Sequence, residues 1–325
     1  MYIFTDNEDL LKSKISIQKR SFKQRVSREY KGHRQKVHTV GWNIEGKKLA
    51  SGSVDQTARV WNIERSSSHR DCIELKGHTG SVDQLCWDPT HSEYLATASA
   101  DKTVRIWDSR AGKCIHVIPT SGENINICWS PDGKQIAVGN KEDLISFIDT
   151  RTHKVVNTKQ NDIEVNEISW NYGGDKFFLT SGQGTIEVLE YPSLKELKSI
   201  QAHTANCYCL EFDPNGRYLA TGSADTLVSL WEVEDLTCIR TFGNLNWPVR
   251  TISFSHDGEY LASASEDLFI DISNVETGEQ VHKIECNAAM NSLAWHPSKY
   301  LLAYAGDELD NKIGIVRVFG FSPSS

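Results

Sequence analysis

Seven aromatic residues recur along the chain at nearly constant spacing, and this period constrains the fold more than any other feature. Each one ends a short apolar segment and is followed within a few residues by Gly, Pro, Asn or Asp. The seven markers are Trp42, Trp87, Trp129, Trp170, Phe212, Phe254 and Trp295. Their spacings of 45, 42, 41, 42, 42 and 41 residues predict seven copies of one supersecondary unit.

The stretch from Gly77 to Asp108 shows the unit most clearly. It opens on Gly-His, closes on Trp-Asp, and holds three strand-like segments separated by tight turns. Units of 40 to 45 residues with these end signatures are typical of the four-stranded blades of WD40 propellers. The sequence therefore predicts an all-β fold, a seven-bladed WD40 β-propeller that spans residues 21–320.

The two ends of the chain lie outside the seven units. Residues 21–30 carry Phe22, Val26 and Tyr30 at strand-like spacing and precede the first Gly-His. We predict that this segment is the outermost strand of the last blade and closes the ring, which removes an exposed sheet edge. Residues 321–325 have no pattern and are predicted to be a loose tail.

Charge is unevenly distributed. The chain carries a net charge of −8, but residues 1–36 hold ten Lys or Arg against four acidic residues, so the remainder carries −14. An acidic body argues against an autonomous nucleic-acid-binding propeller. The basic leader, residues 1–20, has a capping-box pattern near residue 5 and is either a short helix or flexible. Residues 12–36 suit an arm for nuclear import or nucleic-acid contact and equally a solvated strand, so direct RNA contact stays open.

Three of the units carry a His, a Ser or Thr, an Asp and a Trp at fixed spacing. The sets are His33, Ser51, Asp55 and Trp61; His78, Thr97, Asp101 and Trp107; and His203, Thr221, Asp225 and Trp231. They resemble the structural tetrad of WD40 propellers, in which Asp holds His, His reaches the hydroxyl, and the hydroxyl meets the Trp N–H. Such a set also suggests a nucleophilic hydrolase. Because it occurs three times and each copy ends on a Trp donor, we predict a structural role and no enzymatic activity.

No other pattern indicates a reactive or membrane-bound protein. Cys207 and Cys209 are the only close cysteine pair, and they lack the spacing of a zinc site. The eight cysteines are scattered rather than arranged as a disulfide framework, and no run of eighteen apolar residues occurs. The sequence therefore predicts an intracellular protein with no metal, no cofactor, no small-molecule substrate and no membrane contact.

The other blades depart from the tetrad. Thr120 and Ile148 stand in blade three, Gln183 and Leu189 in blade four, and Leu245 and Ser273 beside a retained Asp267 in blade six, while blade seven ends on Phe319 after an insertion at residues 307–312. One hydrogen bond contributes only about 1 kcal/mol net. A blade can therefore lose its tetrad and still fold.

Trp247 belongs neither to the markers nor to the tetrads. It lies beside Pro248 in the connection into blade six, where it is either an exposed interaction anchor or a cover over the missing tetrad. A second set lies four residues before each marker, at the expected mouth of the central channel. This set is His38, Asp83, Ile125, Asn166, Tyr208, Arg250 and Asn291. All of these except Ile125, together with Trp247, are candidate partner-binding residues, although solvated loop ends have a similar composition.

Four segments resemble the THO complex subunit 3 family more closely than WD40 repeats in general. They are Gly80–Trp87, Gly122–Trp129, Glu164–Trp170 and Trp247–Arg250, and the resemblance extends over residues 30–319. It implies a non-enzymatic nuclear scaffold in a THO/TREX complex that couples transcription to mRNA packaging and export. It also implies docking chiefly on the largest, helical-repeat THO subunit, with an RNA helicase and export adaptors reached indirectly. The alternative is a peptide-reading adaptor of the histone-tail or ubiquitin-ligase substrate-receptor type.

Overall fold

A ring of seven antiparallel sheets makes up the fold. The structure, a computed structural model, describes residues 16–17, 19–63, 72–308 and 313–323. These residues form seven four-stranded sheets, and each of the seven aromatic markers ends the innermost strand of one sheet. The predicted seven-bladed WD40 propeller is confirmed.

Blades one to six each use four consecutive strands, numbered along the chain and ordered from the channel outwards. Blade one comprises β2 (Val37–Trp42), β3 (Lys48–Ser53), β4 (Ala58–Asn62) and β5 (Cys72–Leu75). Blade two comprises β6 (Val82–Trp87), β7 (Tyr94–Ser99), β8 (Thr103–Asp108) and β9 (Lys113–Pro119). Blade three comprises β10 (Asn124–Trp129), β11 (Gln135–Asn140), β12 (Leu144–Asp149) and β13 (Lys154–Gln160). Blade four comprises β14 (Val165–Trp170), β15 (Lys176–Ser181), β16 (Thr185–Glu190) and β17 (Glu196–Gln201). Blade five comprises β18 (Cys207–Phe212), β19 (Tyr218–Ser223), β20 (Val228–Glu232) and β21 (Thr237–Phe242). Blade six comprises β22 (Thr251–Phe254), β23 (Tyr260–Ala264), β24 (Phe269–Asn274) and β25 (Gln280–Glu285).

Blade seven joins the two ends of the chain. Its strands are β26 (Met290–Trp295), β27 (Leu302–Gly306), β28 (Gly314–Phe321) and, outermost, β1 (Val26–His33). β1 runs antiparallel to β28, with Val26 opposite Phe321 and His33 opposite Gly314. The predicted closure by an N-terminal strand is confirmed.

Phe22 does not belong to this strand. It lies in a helical turn formed by residues 16, 17 and 19–23, and its side chain is only 4% exposed. Its ring packs edge-on against Tyr260 and stacks on Phe319, in the cluster between blades six and seven. Phe22 and Val26 are four residues apart, a spacing that fits a helical turn as well as a strand, which explains the difference.

The other end of the chain also differs in detail. Phe321, which the sequence assigns to the tail, is the last residue of β28 and lies under the guanidinium of Arg28. The capping-box pattern near residue 5 and residues 309–312 of the insertion in blade seven lie outside the described residues.

The hydrophobic core lies between the blades. The second strand of a blade faces a neighbouring sheet on both sides, so its side chains are apolar on both faces. In β11, for example, Ile136, Ala137 and Val138 are all buried, and Ala137 packs toward blade four while its two neighbours pack toward blade two. Among the residues with described positions, no helix is long and apolar enough to cross a membrane.

Candidate interaction surface and channel

The predicted tetrads are continuous chains of hydrogen bonds. In blade two, His78 Nδ1 lies 2.7 Å from Asp101 Oδ2, and His78 Nε2 lies 2.7 Å from Thr97 Oγ1. Trp107 Nε1 donates to the same hydroxyl at 2.9 Å. The corresponding three distances are 2.9, 2.7 and 2.8 Å in blade one (His33, Ser51, Asp55, Trp61) and 3.1, 2.9 and 2.9 Å in blade five (His203, Thr221, Asp225, Trp231).

The protonation states of His and Asp decide which group donates and which accepts each hydrogen bond of a tetrad. Burial lowers the pKa of His78 and outweighs the attraction of Asp101, so the imidazole is neutral. Burial acts to raise the pKa of Asp101, but hydrogen bonds from Thr103 and His78 outweigh it and hold that pKa below its usual range. His78 Nδ1–H therefore donates to the carboxylate, while Nε2 accepts from Thr97. Because the Thr97 hydroxyl is buried and also accepts from Trp107, no substrate can reach it as it could a hydrolase nucleophile.

In blade six an apolar residue replaces the tetrad histidine. Leu245 is buried in the cluster between blades five and six. Asp267 keeps the backbone role of the tetrad aspartates, because it accepts from the N–H groups of Asn246 at 2.7 Å and Trp247 at 3.2 Å. With Leu245 filling the tetrad site, the Trp247 side chain is 54% exposed. Of the two interpretations the sequence left open, the structure therefore places Trp247 in solvent.

A second apolar side chain is exposed beside this tryptophan. Leu268 follows Asp267 in the turn between β23 and β24 and is 56% exposed. Since Asp267 bonds the backbone of Trp247, the two loops are held together at one end of blade six. We refer to Trp247 and Leu268 as the blade-six apolar pair.

Most of the predicted rim residues share one local conformation. The register between the innermost and second strands shifts across six of them, so that each occupies a β-bulge; they are His38, Asp83, Ile125, Asn166, Tyr208 and Asn291. The seventh, Arg250, directly precedes β22. A bulge redirects the side chain of its extra residue, which explains why one position in each blade is set apart from the regular strand.

Five of these seven residues line the central channel. The channel has a volume of about 900 Å³. Its wall includes His38, Asp83, Ile125, Arg250 and Asn291, but not Asn166 or Tyr208. The structure therefore brings the rim residues of blades one, two, three, six and seven together and leaves those of blades four and five outside.

On one side of the mouth the rim side chains bind each other. Arg250 Nη1 donates to Asn291 Oδ1 at 2.7 Å, and its Nη2 pairs with Glu266. Asn291 Nδ2 donates to Asp307 at 3.1 Å, and Lys36 Nζ pairs with Asp307 at 2.5 Å. This network joins blades six and seven to the segment that leads into blade one. The Arg250 guanidinium is therefore already hydrogen-bonded within the rim in the unbound protein.

Three polar residues deeper in the channel escaped the sequence analysis. Gln84 Nε2 donates to Glu167 Oε2 at 2.9 Å, and its Oε1 accepts from the backbone N–H of Ile127, so one side chain connects blades two, three and four. Glu211 accepts from the N–H of Phe254 at 3.2 Å, from blade five to blade six. Only Glu211 gave a local signal, a carboxylate in the otherwise apolar strand β18, whereas Gln84 and Glu167 lie in strands with other polar residues.

The two channel glutamates are hard to ionise. Burial raises the pKa of Glu167 to about 7 and that of Glu211 to about 8. In both cases the hydrogen bonds that favour the charged form are outweighed by the loss of water around the carboxyl group. At neutral pH Glu211 is mainly protonated.

The described residues offer no metal centre, and the two paired cysteines are not activated. No group of three or more His, Cys, Asp or Glu side chains in the described part of the chain is arranged to hold a metal ion. Burial raises the pKa of Cys207 to about 12 and that of Cys209 well above its usual range. Both thiols therefore stay protonated, which makes them poor nucleophiles and poor ligands.

The family model described as the THOC3 beta-propeller domain matches residues 33–305. THO complex subunit 3 of Arabidopsis thaliana is 60% identical over 308 residues, which cover 93% of this chain and 98% of that protein. WD repeat-containing protein AAC3 of Dictyostelium discoideum is 37% identical over 332 aligned positions, with 94% of this chain and 69% of that protein covered.

Among solved structures, the beta-propeller domain of Cps50 (Swd1) from Myceliophteria thermophila superimposes with a TM-score of 0.78. The match covers 90% of this chain and 98% of the other at 21% sequence identity. At that identity the likeness shows the shared propeller fold alone.

Proposed function

Because this chain belongs to the THO complex subunit 3 family of WD40 propellers, we propose that it is a non-enzymatic scaffold of a nuclear THO/TREX-type complex that couples transcription to mRNA packaging and export. Family membership makes it a THO subunit that associates with other THO subunits. Its principal contact in this proposal is the largest, helical-repeat subunit. The RNA helicase and export adaptors are reached through the assembly rather than directly.

The blade-six apolar pair is the observation that supports a docking role most strongly. In the three tetrad blades, the positions equivalent to Trp247 are occupied by Gln35, Gly80 and Ala205. Blade six instead presents a large aromatic side chain on a loop whose backbone is already fixed by Asp267. Exposed tryptophans on ordered loops are frequent centres of binding energy, because little entropy is lost when they bind.

The absence of activated groups in the described tetrads supports a scaffold rather than a hydrolase. Each tetrad hydroxyl is buried between a histidine and a tryptophan. An enzyme of the serine type needs one exposed nucleophile beside an oxyanion site. We expect a serine-reactive probe to label no unique residue.

Affinity purification of the tagged chain from nuclear extract tests the proposal. We expect the wild type to recover a large helical-repeat THO subunit. The double variant Trp247→Ala/Leu268→Ala should recover at least tenfold less, since hot-spot residues contribute about 2 kcal/mol or more each. Its melting temperature should change little, because both side chains are exposed.

Tyr172→Ala is the matched control. Tyr172 is an equally exposed aromatic residue, 60% accessible, in the turn after β14 at the opposite end of the strand from the rim. Its replacement should leave capture intact. Recovery of no large nuclear partner by the wild type would exclude the proposal, and equal losses in both variants would exclude the blade-six surface. If the double variant unfolds, Trp247 is part of the core instead.

The peptide-reading alternative has one observation in its favour, the channel that holds Glu167 and Glu211. Against it, Arg250 and Asn291 at the mouth already bond each other. Titration with basic and with phosphorylated peptides separates the two functions. Saturable micromolar binding that is lost in Glu211→Gln but kept in Trp247→Ala would favour the peptide reader.

A further inference from the structure

The N-terminal helical turn and β1 carry the densest positive charge of the described chain. Residues 19–36 hold eight Lys or Arg and one acidic residue, Glu29, a net charge of +7. The structure orders this segment against the outer edge of the ring: Phe22 anchors the turn between blades six and seven, and β1 is the outermost strand of blade seven. The charge is therefore displayed on a fixed surface.

Arg34 lies beyond β1, where its charge acts on Glu74, and four of the other seven cations have no carboxylate partner within the described residues. They are Arg20, Lys23, Arg25 and Arg28, whereas Lys19, Lys31 and Lys36 pair with Glu279, Glu29 and Asp307. Arg25 donates to the backbone carbonyl of Gly320 at 2.6 Å, which leaves its charge uncompensated. Arg20, Lys23 and Arg28 are exposed. We call these four residues the basic edge.

The placement of the basic edge follows from the elements that carry it. Arg20 and Lys23 are three residues apart on the helical turn and so share one face, and that face points away from the buried Phe22. Lys23 lies near His282 of β25: burial and then the Lys23 charge lower the pKa of His282. Arg28 lies on β1, with its guanidinium 3.9 Å from the centre of the Phe321 ring, which packs on the cluster between blades seven and one. The four cations therefore span the outer edge of blade seven, from its junction with blade six to its junction with blade one.

We propose that the basic edge binds the phosphodiester backbone of a single-stranded nucleic acid. Exposed cations without acidic partners are the groups that release counterions when they meet phosphates. Arg28 over Phe321 adds a planar surface against which an unpaired base can stack, which a base in a duplex could not reach. The rest of the chain is acidic, so the polyanion is directed to this edge and repelled elsewhere.

Fluorescence anisotropy of the full chain with labelled U20 and dT20 between 50 and 200 mM salt tests the proposal. The variant Arg20→Ala/Lys23→Ala/Arg28→Ala should bind at least tenfold more weakly at 50 mM salt. The slope of log affinity against log salt should fall by about 2, since each phosphate contact on a single strand contributes about 0.7. Arg25 is left unchanged because it bonds Gly320.

Lys47→Ala/Arg110→Ala/Lys134→Ala is the charge-matched control. These cations are exposed on other turns and sit near Glu45, Asp108 and Asp132. The control should bind as the wild type does. Arg28→Lys alone should keep the salt slope and lose affinity, because the charge remains and the stacking surface does not. Equal binding of U20 and dT20 identifies the shared backbone as the ligand, and preference for one adds a sugar or base contact to it.

Three results would overturn the proposal. The first is no binding by the wild type at 50 mM salt. The second is an equal loss in both triple variants. The third is full competition by a polyglutamate peptide at matched charge, which would identify the edge as a surface for acidic proteins. Melting temperatures of all variants, measured in parallel, exclude unfolding as the cause of a loss.

Discussion

The hydroxyl of Thr97 serves two polar neighbours at once, donating to His78 and accepting from Trp107. Thr97→Val removes both bonds and leaves two buried groups without partners. Each unsatisfied group costs about 1–3 kcal/mol, so the free energy of unfolding should fall by about 2–6 kcal/mol in a urea titration.

Thr97→Ser is the control for this substitution. It keeps the hydroxyl and removes one methyl group, which should cost only about 1 kcal/mol. If the valine variant is no less stable than the serine variant, the hydrogen bonds of Thr97 do not stabilise the fold.

Some of the functional and structural residues could be found from the sequence alone, and others could not. The tetrad residues could be found because four polar types recur at fixed offsets. Glu167 and Glu211 could not, because their role depends on a channel that exists only when blades far apart in sequence come together. Trp247 was undecidable from sequence because its exposure depends on whether Leu245 fills the space beneath it.

The helical turn before β1 packs across the junction of blades six and seven and stabilises it. Phe22 contacts aromatic rings from both blades, including Tyr260, Trp295 and Phe319. Phe22→Ala should lower the free energy of unfolding by about 3–5 kcal/mol, the usual cost of removing a buried phenyl ring. Urea denaturation followed by tryptophan fluorescence measures the change.

Ile17→Ala tests whether this loss reflects burial. Ile17 belongs to the same helical turn but is 65% exposed. Its replacement should change stability by about 0.5 kcal/mol at most. Comparable losses in the two variants would mean that helix formation, and not the aromatic pocket, holds the turn in place.

Elements differed in how far the sequence defined them. Innermost strands were predictable because an aromatic residue and a turn mark where each one ends. Outer strands were not, since β13 is exposed along almost its whole length and shows no alternation of apolar and polar residues. The bulge at His38 and its counterparts was also hidden, because a register shift depends on the paired strand rather than on local composition.

For the whole molecule, the two channel glutamates make stability depend on pH. Glu167 and Glu211 have pKa values of about 7 and about 8, above the ordinary value of 4.5. The native state therefore holds protons that the unfolded chain releases. This contribution to stability is complete below about pH 4.5 and is lost as pH rises through 7 and 8.

The double variant Glu167→Gln/Glu211→Gln should not lose stability in this way as pH rises, because glutamine does not ionise. We expect the double variant to match or fall below the wild type in melting temperature at pH 5 and to exceed it at pH 8. Between pH 5 and pH 8 the unfolding free energy of the wild type should fall by about 2–4 kcal/mol more than that of the variant, less than the full pKa shifts imply because the channel is open to solvent. The lowered pKa values of the tetrad histidines act in the opposite sense, weakening the fold as pH falls below 6.5, but they are common to both proteins and cancel in the comparison. Parallel pH profiles would contradict the assignment.

The pairing of β1 with β28 joins the first and last strands that the ribosome makes, so the two are separated in time during synthesis. Val26 must find Phe321, which the ribosome adds 295 residues later. At about 5–20 residues per second this takes roughly 15–60 s. During that interval β1 has no sheet to join, while the strands of blades one to six are added in turn. Closure of the ring must therefore wait until β28 has been made, and this delay gives a chaperone its longest opportunity to bind the unpaired β1.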